Sequence, residues 1–306
     1  MSKFLFYTDL HLSNIPPRHR KDDFGRTILS KLAEVYDIGK RNNVDFAVFG
    51  GDFFDVHRIY SYELISEAVN IISDSGFETY AIIGQHDLKG YNLGTYSTSV
   101  LAFLENHCKN WHTMYDETEV GDVVLCPCHA NGDINEAMSR KIASSKVPVL
   151  VAHLLLHDTK AMFDVIPTSS VAHGPYVLVL SGDLHCGFEA HMHEGTVFCN
   201  PGSMARRTVA DNRPVQCLVV DVTPQRDVSV ETIEVSCVKP FADVFDESFV
   251  ATVKSTASMD ASRFVDGILE IEMESVDVFE LVEKIGRQKG VRREVLEFIS
   301  SKRCDT

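Results

Sequence analysis

Five short polar motifs punctuate this chain, and each follows an apolar run of the kind that forms a buried strand. They are Asp9-Leu10-His11, Gly51-Asp52, Gly84-Gln85-His86-Asp87, His153 and Gly182-Asp183-Leu184-His185. Open α/β sheets place their sites at the carboxyl ends of strands, so these side chains are expected to converge. Carboxylate, imidazole and amide groups together suit two hard or borderline metal ions, a pattern typical of phosphate ester hydrolysis.

The spacing of apolar residues predicts the elements that carry these motifs. Strands are predicted at 3–8, 46–49, 79–83, 122–125, 147–151, 176–180, 196–199 and 217–222, and helices at 24–41, 62–73 and 100–106. Because strands first alternate with helices and then follow one another directly, we expect an α/β fold of layered, mixed sheets.

The character of the sequence changes at about Val238. Beyond it, alternation predicts a strand at 264–274, and apolar spacing predicts helices at 278–288 and 291–302. We therefore predict two domains, a larger one at 1–238 and a small C-terminal α/β domain at 239–306.

Composition restricts the class of protein. The net charge of −15 argues against a broad nucleic-acid-binding face, although bound cations would offset acidic groups locally. The eight cysteines show no C-x-x-C pair, which fits a reducing compartment better than a disulfide framework. The first residues turn polar too soon for a secretory signal, and no apolar run is long enough to span a membrane. We expect a cytoplasmic protein, or one of the host cytoplasm if the chain is viral.

Each motif residue can be given a chemical role. Asp9 and His11 leave a strand two residues apart and can turn toward one ion, while the two oxygens of Asp52 can bridge two ions about 3.5–4 Å apart. His86 can donate a proton to a leaving oxygen or stabilise phosphate charge, and Asp87 is expected to orient it. The remaining candidate ligands are Gln85, His153, Asp183 and His185.

With these motifs, the chain resembles the calcineurin-like metallophosphoesterases, whose motifs are D-x-H, G-D, G-N-H-D, H and G-H-x-H. Within that family it is similar to the SbcD-type recombination nucleases and their archaeal, eukaryotic and phage counterparts. The narrower resemblance rests on a loop with Arg18, Arg20 and residues 22–24, on Gly51-Asp52-Phe53-Phe54-Asp55, on Asn200-Pro201-Gly202-Ser203 followed by Arg206, and on a small following domain.

The resemblance implies a layered sandwich of two mixed β-sheets flanked by helices, with a cap-like C-terminal domain. It implies two divalent ions, typically Mn²⁺, with Mg²⁺ as the alternative. One ion would be held by Asp9, His11, Asp52 and His185, and the other by Asp52, Gln85, His153 and Asp183. His86 would be the catalytic histidine that is not a ligand.

Two residues depart from the family pattern. Gln85 stands where the family has Asn, and Asp183 stands where it has His. Both changes fall on the second ion, where a longer amide and an added negative charge favour Mn²⁺ or Mg²⁺ over softer ions. We expect a working but altered second site.

By resemblance, the chain would be a DNA nuclease of repair and recombination, an exonuclease with single-strand endonuclease activity. It would form a homodimer and work with an SbcC-like coiled-coil ATPase. Substrate contacts are expected from Arg18, Arg20, Lys21, His57, Arg58, Ser203, Arg206 and Arg207. A small-molecule phosphodiesterase or protein phosphatase on the same scaffold, and a catalytically weakened scaffold subunit, remain alternatives.

Overall fold

The computed structural model describes residues 2–17, 20–59, 61–127, 147–156, 166–171, 176–207 and 213–245. The described helices are α1 (Phe24–Arg41), α2 (Tyr62–Ser73), α3 (Val100–His107) and α4 (Phe241–Val244). The strands are β1 (Ser2–Tyr7), β2 (Phe46–Phe49), β3 (Glu78–Ile82), β4 (Trp111–Met114), β5 (Thr118–Val120), β6 (Val123–Cys126), β7 (Val149–Ala152), β8 (Leu178–Ser181), β9 (Phe188–His193), β10 (Thr196–Asn200), β11 (Gln216–Val222) and β12 (Val228–Glu234). In this part of the chain no helix is both long and apolar enough to cross a bilayer.

Two six-stranded mixed sheets form the fold. The first has the order β12-β11-β1-β2-β3-β4, in which β1 to β4 are parallel and β11 and β12 are antiparallel additions. The second has the order β5-β6-β7-β8-β10-β9, with β6, β7, β8 and β10 parallel and an antiparallel strand at each edge. The parallel strands of each sheet therefore end at a common edge.

Alternate side chains of β1 explain the layers. Phe4 and Phe6 pack between the two sheets, against strands such as β7 and β8, whereas Leu5 and Tyr7 point to the helices on the other face. All four side chains are fully buried. A strand covered on both faces is apolar at every position, which is why these strands appear in the sequence as continuous apolar runs.

The helices α1, α2 and α3 cover the outer face of the first sheet. In α1, Ile28, Leu32 and Val35 recur at helical spacing and are buried in that core. The helix begins where the Asp23 carboxylate accepts a hydrogen bond from the amide of Arg26 at 3.1 Å. Its opposite face is exposed and carries charged residues, so α1 is an amphipathic helix that shields its part of the sheet from solvent.

The expected α/β sandwich of two mixed sheets is confirmed. The predicted bounds of α1, β2 and α2 match the structure, and the other predicted elements differ by a few residues at their ends. The predicted strand ranges omit the edge strands β4, β5, β9 and β12. Of these, β4 and β5 carry too few residues to show a period. The elements predicted at 264–274, 278–288 and 291–302, and with them most of the C-terminal domain, lie outside the described residues.

Candidate metal centre

The loops that leave β1 and β2 bind each other through their backbones. The amide of Asp9 donates to the carbonyl of Gly51 at 3.0 Å, and the amide of His11 donates to the carbonyl of Asp52 at 3.1 Å. Because both strands are parallel and adjacent, these contacts continue their pairing past the last strand residue. The first two motifs are thereby fixed side by side.

Four candidate ligands have backbones in the left-handed region. Their φ angles are 52° for Asp9, 49° for His11, 59° for Asp52 and 69° for Asp183. Residues with a Cβ avoid this region, and each such position costs about 1–3 kcal/mol. Strain at several turns of one site is typical of a functional centre, because the surrounding structure must hold each side chain in a fixed direction.

A first group of ligand atoms is formed by Asp9, His11 and His185. The Nε2 atoms of the two histidines lie 2.9 Å apart, and Asp9 Oδ1 lies 3.7 Å from that of His11 and 3.5 Å from that of His185. Two ligand atoms bound to one ion at about 2.1 Å each are separated by similar distances. The expected meeting of motifs one and five is therefore present.

A second group is formed by Asp9, Asp52 and His153. Asp52 Oδ2 lies 3.4 Å from His153 Nε2, and 4.0 Å from the Nε2 atoms of both His11 and His86. His153 Nδ1 donates to the carbonyl of Gly50 at 2.6 Å, which leaves Nε2 as the ring atom that can bind an ion. Asp52 Oδ2 thus lies between the two groups, where a bridging oxygen is required.

Three buried ligand atoms at this centre have no hydrogen-bond partner among the described residues: Asp9 Oδ1, Asp52 Oδ2 and His153 Nε2. Leaving buried polar atoms unpaired costs free energy, and a bound cation removes that cost. Other atoms of the same side chains are satisfied, since Asp9 Oδ2 accepts hydrogen bonds from the Thr8 hydroxyl at 2.7 Å and the amide of Asp183 at 3.1 Å. The residues therefore fit divalent ions.

The electrostatics of the centre agree with this fit. Burial by itself would lower the pKa of His11, but the neighbouring carboxylates of Asp55, Asp9 and Asp52 outweigh it and raise that pKa to about 9. Burial would likewise raise the pKa of Asp9, but the adjacent imidazoles of His11 and His185 hold that pKa well below its usual value. Negative charge is therefore retained in a buried place, as a cation site requires.

His86 lies at the solvent side of the two groups, with its side chain 30% exposed. Its Nδ1 donates to the carbonyl of Asp55 at 2.8 Å, and its backbone amide donates to Asp52 Oδ1 at 2.8 Å. The ring is thus oriented with Nε2 toward Asp52 Oδ2. His11, Asp52 and His86 also converge as a third group of possible ligand atoms, so the geometry admits His86 either as a ligand or as a histidine that acts beside the ions.

Asp87 was expected to orient His86, but its carboxylate binds other groups of the described residues. Its buried carboxylate accepts hydrogen bonds from the amides of Asp52, Phe53, Phe54 and Gly84 at 3.0–3.3 Å. Burial and the charge of Asp52 raise the pKa of Asp87 to about 7, although the Gly84 and Phe54 amides oppose the shift. The expected orienting role belongs to the Asp55 carbonyl, because the short turn after Gly84 directs Asp87 inward to the backbone of the Asp52 loop.

Gln85 and Asp183, the two departures from the family pattern, contact each other. Gln85 Nε2 donates to Asp183 Oδ1 at 2.5 Å, and both side chains are half-buried. Asp183 is also fixed to the centre through its amide, which donates to Asp9 Oδ2. The Asp and His atoms that converge in the described residues do not include the Asp183 carboxylate.

Two of the expected phosphate contacts are engaged within the protein. The Arg20 side chain is buried, forms a two-point ion pair with Asp22, and donates to the carbonyl of Arg206 at 2.5 Å. Arg206 donates to the carbonyls of Arg213 and Lys239 at 2.9 and 3.1 Å. The expectation for Arg20 is wrong, because a buried, paired guanidinium cannot also reach a substrate.

The remaining candidates differ in their placement. Ser203 is buried and its hydroxyl donates to the carbonyl of Asp9 at 2.9 Å, so it supports the first motif rather than a substrate. Arg58 and Lys21 are exposed, and His57 is half-buried. Arg18 lies outside the described residues.

Asp55 is a position to which the sequence analysis assigned no role. Its Oδ1 lies 3.4 Å from His11 Nδ1 and 2.9 Å from Arg207 Nη2, and its carbonyl accepts from His86. A carboxylate behind a ligating imidazole fixes the ring and raises its basicity. The signal in the sequence is its place at the end of Gly51-Asp52-Phe53-Phe54-Asp55, three residues after Asp52.

Comparison with known proteins agrees with this geometry. The model of the calcineurin-like phosphoesterase family matches residues 2–153, which include the first four motifs. No curated protein matches significantly.

Several solved structures are similar to this chain. A dimetal phosphatase from Danio rerio has 10% identity and a TM-score of 0.46, over 77% of this chain and 99% of that one. A Thermus thermophilus protein has 13% identity and a TM-score of 0.48, over 76% and 99%. The calcineurin-like phosphoesterase YfkN from Bacillus subtilis has 14% identity and a TM-score of 0.44, over 84% and 96%.

The family match extends from β1 to His153, and the motif at 182–185 brings His185 to the same centre from the second sheet. Residues 2–153 are thus similar to the calcineurin-like phosphoesterase family, and candidate Asp and His ligand groups for metal ions converge at the strand ends.

Proposed function

We propose that this protein hydrolyses phosphodiester bonds in DNA with the help of two divalent metal ions. The observation that carries the proposal is the unpaired Asp52 Oδ2, which is buried and faces His11, His86 and His153 within 4.0 Å. One oxygen among three imidazoles from separate motifs is the arrangement that a bridged pair of ions requires.

In this proposal the ligands fall into two sets that share Asp52. Asp9, His11 and His185 hold one ion with it, and His153 holds the other together with the Gln85–Asp183 pair. When bound, the ions supply Lewis-acid polarisation of the phosphate ester and lower the pKa of a water molecule. Two Mn²⁺ or Mg²⁺ ions suit this set of oxygen and imidazole ligands.

His86 is the proposed proton donor. The Asp55 carbonyl holds Nδ1–H, so Nε2 is the ring atom that faces the centre. In the imidazolium form, Nε2–H would pass a proton to the leaving oxygen or donate a hydrogen bond to a phosphoryl oxygen. Its partial exposure leaves room for substrate on that side of the centre. General acid assistance of this kind contributes about 10²–10⁴-fold to the rate.

Positive charge near the loop after β2 supports a polyanionic substrate. The half-buried ring of His57 has its pKa lowered by burial and by the charges of Arg58 and Lys89, which therefore lie near it. His57 is two residues from Asp55, so this basic group adjoins the centre. Such cations contact phosphates without reading sequence. The resemblance to SbcD-type nucleases supports DNA as the substrate.

A small-molecule phosphodiesterase or phosphatase is the second candidate. The burial of Arg20 and its ion pair with Asp22 favour it, because one of the cations expected along a DNA groove is engaged within the protein. The same ligand groups serve either substrate, since fold and metals do not fix it.

The partners are also proposed from the resemblance. We propose a homodimer that binds an SbcC-like coiled-coil ATPase. Light scattering on the purified full chain tests the dimer directly: a mass twice the 34.2 kDa of one chain supports it, and a monomer at micromolar concentration contradicts it.

The function is tested by incubating the full chain with end-labelled single- and double-stranded DNA and with bis-p-nitrophenyl phosphate, in Mn²⁺, Mg²⁺ or EDTA. The variants are His86→Ala and a matched control, His112→Ala, which removes an exposed histidine paired with Glu78. Metal-dependent DNA degradation that is lost in the first variant and kept in the second is expected. Cleavage of the generic diester alone favours the second candidate, and no cleavage of either contradicts hydrolysis at this centre.

A further inference from the structure

The second ligand group, which is Asp9, Asp52 and His153, does not include the side chains of Gln85 and Asp183 in the described residues. Asp52 and His153 meet at 3.4 Å, whereas Gln85 and Asp183 are directed toward each other. The short hydrogen bond between the latter two joins residues 98 positions apart in the sequence, one from each sheet. Both residues adjoin the centre, since His86 contacts Asp52 and the Asp183 amide contacts Asp9.

The hydrogen bond determines which atoms remain available. Gln85 uses its amide nitrogen on Asp183 Oδ1, so its carbonyl oxygen and the second oxygen of Asp183 are left as acceptors. Asp183 lies on the His153 side of the centre, because the preceding Gly182 packs so closely against the His153 ring that an added Cβ would lie 2.7 Å from Nδ1. The pair therefore offers two oxygen atoms, with one negative charge, on the His153 side of the centre.

We propose that Gln85 and Asp183 form one interdependent ligand pair for the second ion, in which each side chain holds the other in its binding position. This inference rests on the proposed two-ion centre and specifies how its second site is built. The longer glutamine reaches Asp183 across the gap between the sheets, and the short aspartate leaves room for it. If only one of these two residues departed from the family pattern, its side chain would lack the hydrogen-bond partner that holds it in place.

The proposal has a consequence for metal preference. An amide oxygen and a carboxylate oxygen in place of an imidazole make the second site harder and more anionic. Mn²⁺ and Mg²⁺ are therefore preferred at this site over softer ions such as Zn²⁺. The first site, with His11 and His185, keeps two imidazoles and is expected to discriminate less.

Metal titration of a variant cycle tests the interdependence. Calorimetric and electron paramagnetic resonance titrations with MnCl₂ are made on the full chain and on Gln85→Asn, Asp183→His and the double variant. Each single variant is expected to weaken the second Mn²⁺ by about 10-fold or more, with the first unchanged. The double variant, which restores the family's Asn and His, is expected to recover most of the lost affinity, so that the two effects are not additive.

Two further variants distinguish a local loss of metal binding from misfolding of the chain. Asp183→Asn keeps the acceptor for Gln85 and removes only the charge, so weaker second-ion binding with an unchanged circular dichroism spectrum is expected. Asp227→His makes the same type of change as Asp183→His in the exposed β11–β12 turn, at the opposite edge of the first sheet, and should leave both ions unaffected.

The outcomes distinguish the pair from the function. Suppose that the wild type binds two Mn²⁺ and that the affinity of the double variant for the second ion falls by the product of the two single-variant factors. The interdependence of the pair is then overturned, while the two-ion centre stands. If the wild type binds one Mn²⁺, the pair and the two-ion centre are both overturned, and the DNA and diester assays decide whether hydrolysis with one ion remains. If it binds none, the proposed function fails as well.

Discussion

The two carboxylate oxygens of Asp52 have different surroundings. Oδ1 accepts a hydrogen bond from the amide of His86 at 2.8 Å, which fixes the plane of the group. Oδ2 has no hydrogen-bond partner in the described part of the chain and faces His11, His86 and His153. A side chain locked through one oxygen presents the other without a further loss of entropy, which suits the bridging role proposed for Asp52.

Replacement of Asp55 by Asn is predicted to weaken metal binding. The carboxylate behind His11 Nδ1 holds the ring and makes it a better ligand. Mutation of a group that supports a metal ligand in this way typically lowers metal affinity by about 10–100-fold. We therefore expect the apparent Kd for Mn²⁺ to rise by about 10–100-fold, measured by calorimetry.

Asp45→Asn is the matched control for this change. Asp45 accepts a hydrogen bond from the amide of Lys3 at 2.8 Å, at the amino end of β2 and away from the centre. An unchanged Kd in Asp55→Asn, or an equal loss in both variants, would show that Asp55 does not act through His11.

At the scale of elements, the end of β3 packs directly on the loop after β2. A methyl group added at Gly84 would overlap the backbone and carboxylate of Asp52. Since Asp52 is held in place by neighbouring backbone groups, it cannot move aside without losing its hydrogen bonds with His86 and Asp87.

Gly84→Ala is therefore predicted to abolish metal binding and activity with a smaller effect on the fold. Overpacking of this kind costs about 1–3 kcal/mol, measured by urea unfolding. The control is Gly94→Ala, where the nearest atom is 3.2 Å away at the flexible end of Asn92. Wild-type Mn²⁺ binding by Gly84→Ala would contradict the close packing.

A second link between elements lies at Glu34 of α1. Its carboxylate accepts hydrogen bonds from the amides of Ser236 and Cys237 at 2.7 Å and from the Ser236 hydroxyl at 2.6 Å. Although burial opposes it, these hydrogen bonds lower the pKa of Glu34 from 4.5 to about 2. The carboxylate thus ties the chain after β12 to the helix.

The pH dependence of stability follows from this shift. Because the pKa is lower in the folded state, the stabilisation is fully present above about pH 4.5 and is lost as the pH falls toward 2. After a discount for solvent screening, Glu34→Gln is predicted to lower the free energy of unfolding by about 1 kcal/mol at pH 7, with the difference vanishing near pH 2.

Asp37→Asn on the same helix is the control for Glu34→Gln. Asp37 forms an exposed ion pair with Lys40 at 3.8 Å, which is expected to change stability by less than about 0.5 kcal/mol. Urea unfolding of the three proteins across pH 2–7 makes the comparison. A Glu34→Gln difference that stays constant with pH would refute the role of the carboxylate charge.

At the scale of the whole molecule, the candidate ligands come from both sheets. Asp9 and Asp52 follow strands of the first sheet, whereas His153 and His185 follow strands of the second. Bound ions would therefore join the two layers of the sandwich at one edge. They would also remove the cost of the unpaired buried atoms there.

Mn²⁺ is therefore predicted to stabilise the full chain against unfolding. At a free concentration about 100 times the Kd, each ion adds about 2.7 kcal/mol to the free energy of unfolding. Thermal unfolding with EDTA and with Mn²⁺ measures the effect, and His185→Asn is expected to reduce it. Identical melting temperatures with and without Mn²⁺ would contradict ligation in the folded state.

Much of the fold could be predicted because its strands are buried on both faces. Apolar runs such as 46–49 and the helical spacing of 24–41 are local signals, and the structure has β2 and α1 at those residues. The edge strand β5 has only three residues and little burial, so neither its length nor its pattern distinguished it from a loop. The order in which the strands pair could not be derived from such local patterns, because paired strands come from distant segments of the chain.

The sequence by itself determined the ligand types and the layered fold, because a ligand is defined by its side chain and a buried strand by its local pattern. Only the tertiary structure decided that Asp87 binds the Asp52 loop, that Arg20 is buried, and that Gln85 contacts Asp183. The first and last of these contacts span 35 and 98 residues, and Arg20 is covered by chain from beyond position 200. Such contacts depend on the crossing of loops from two sheets, which no local spacing records.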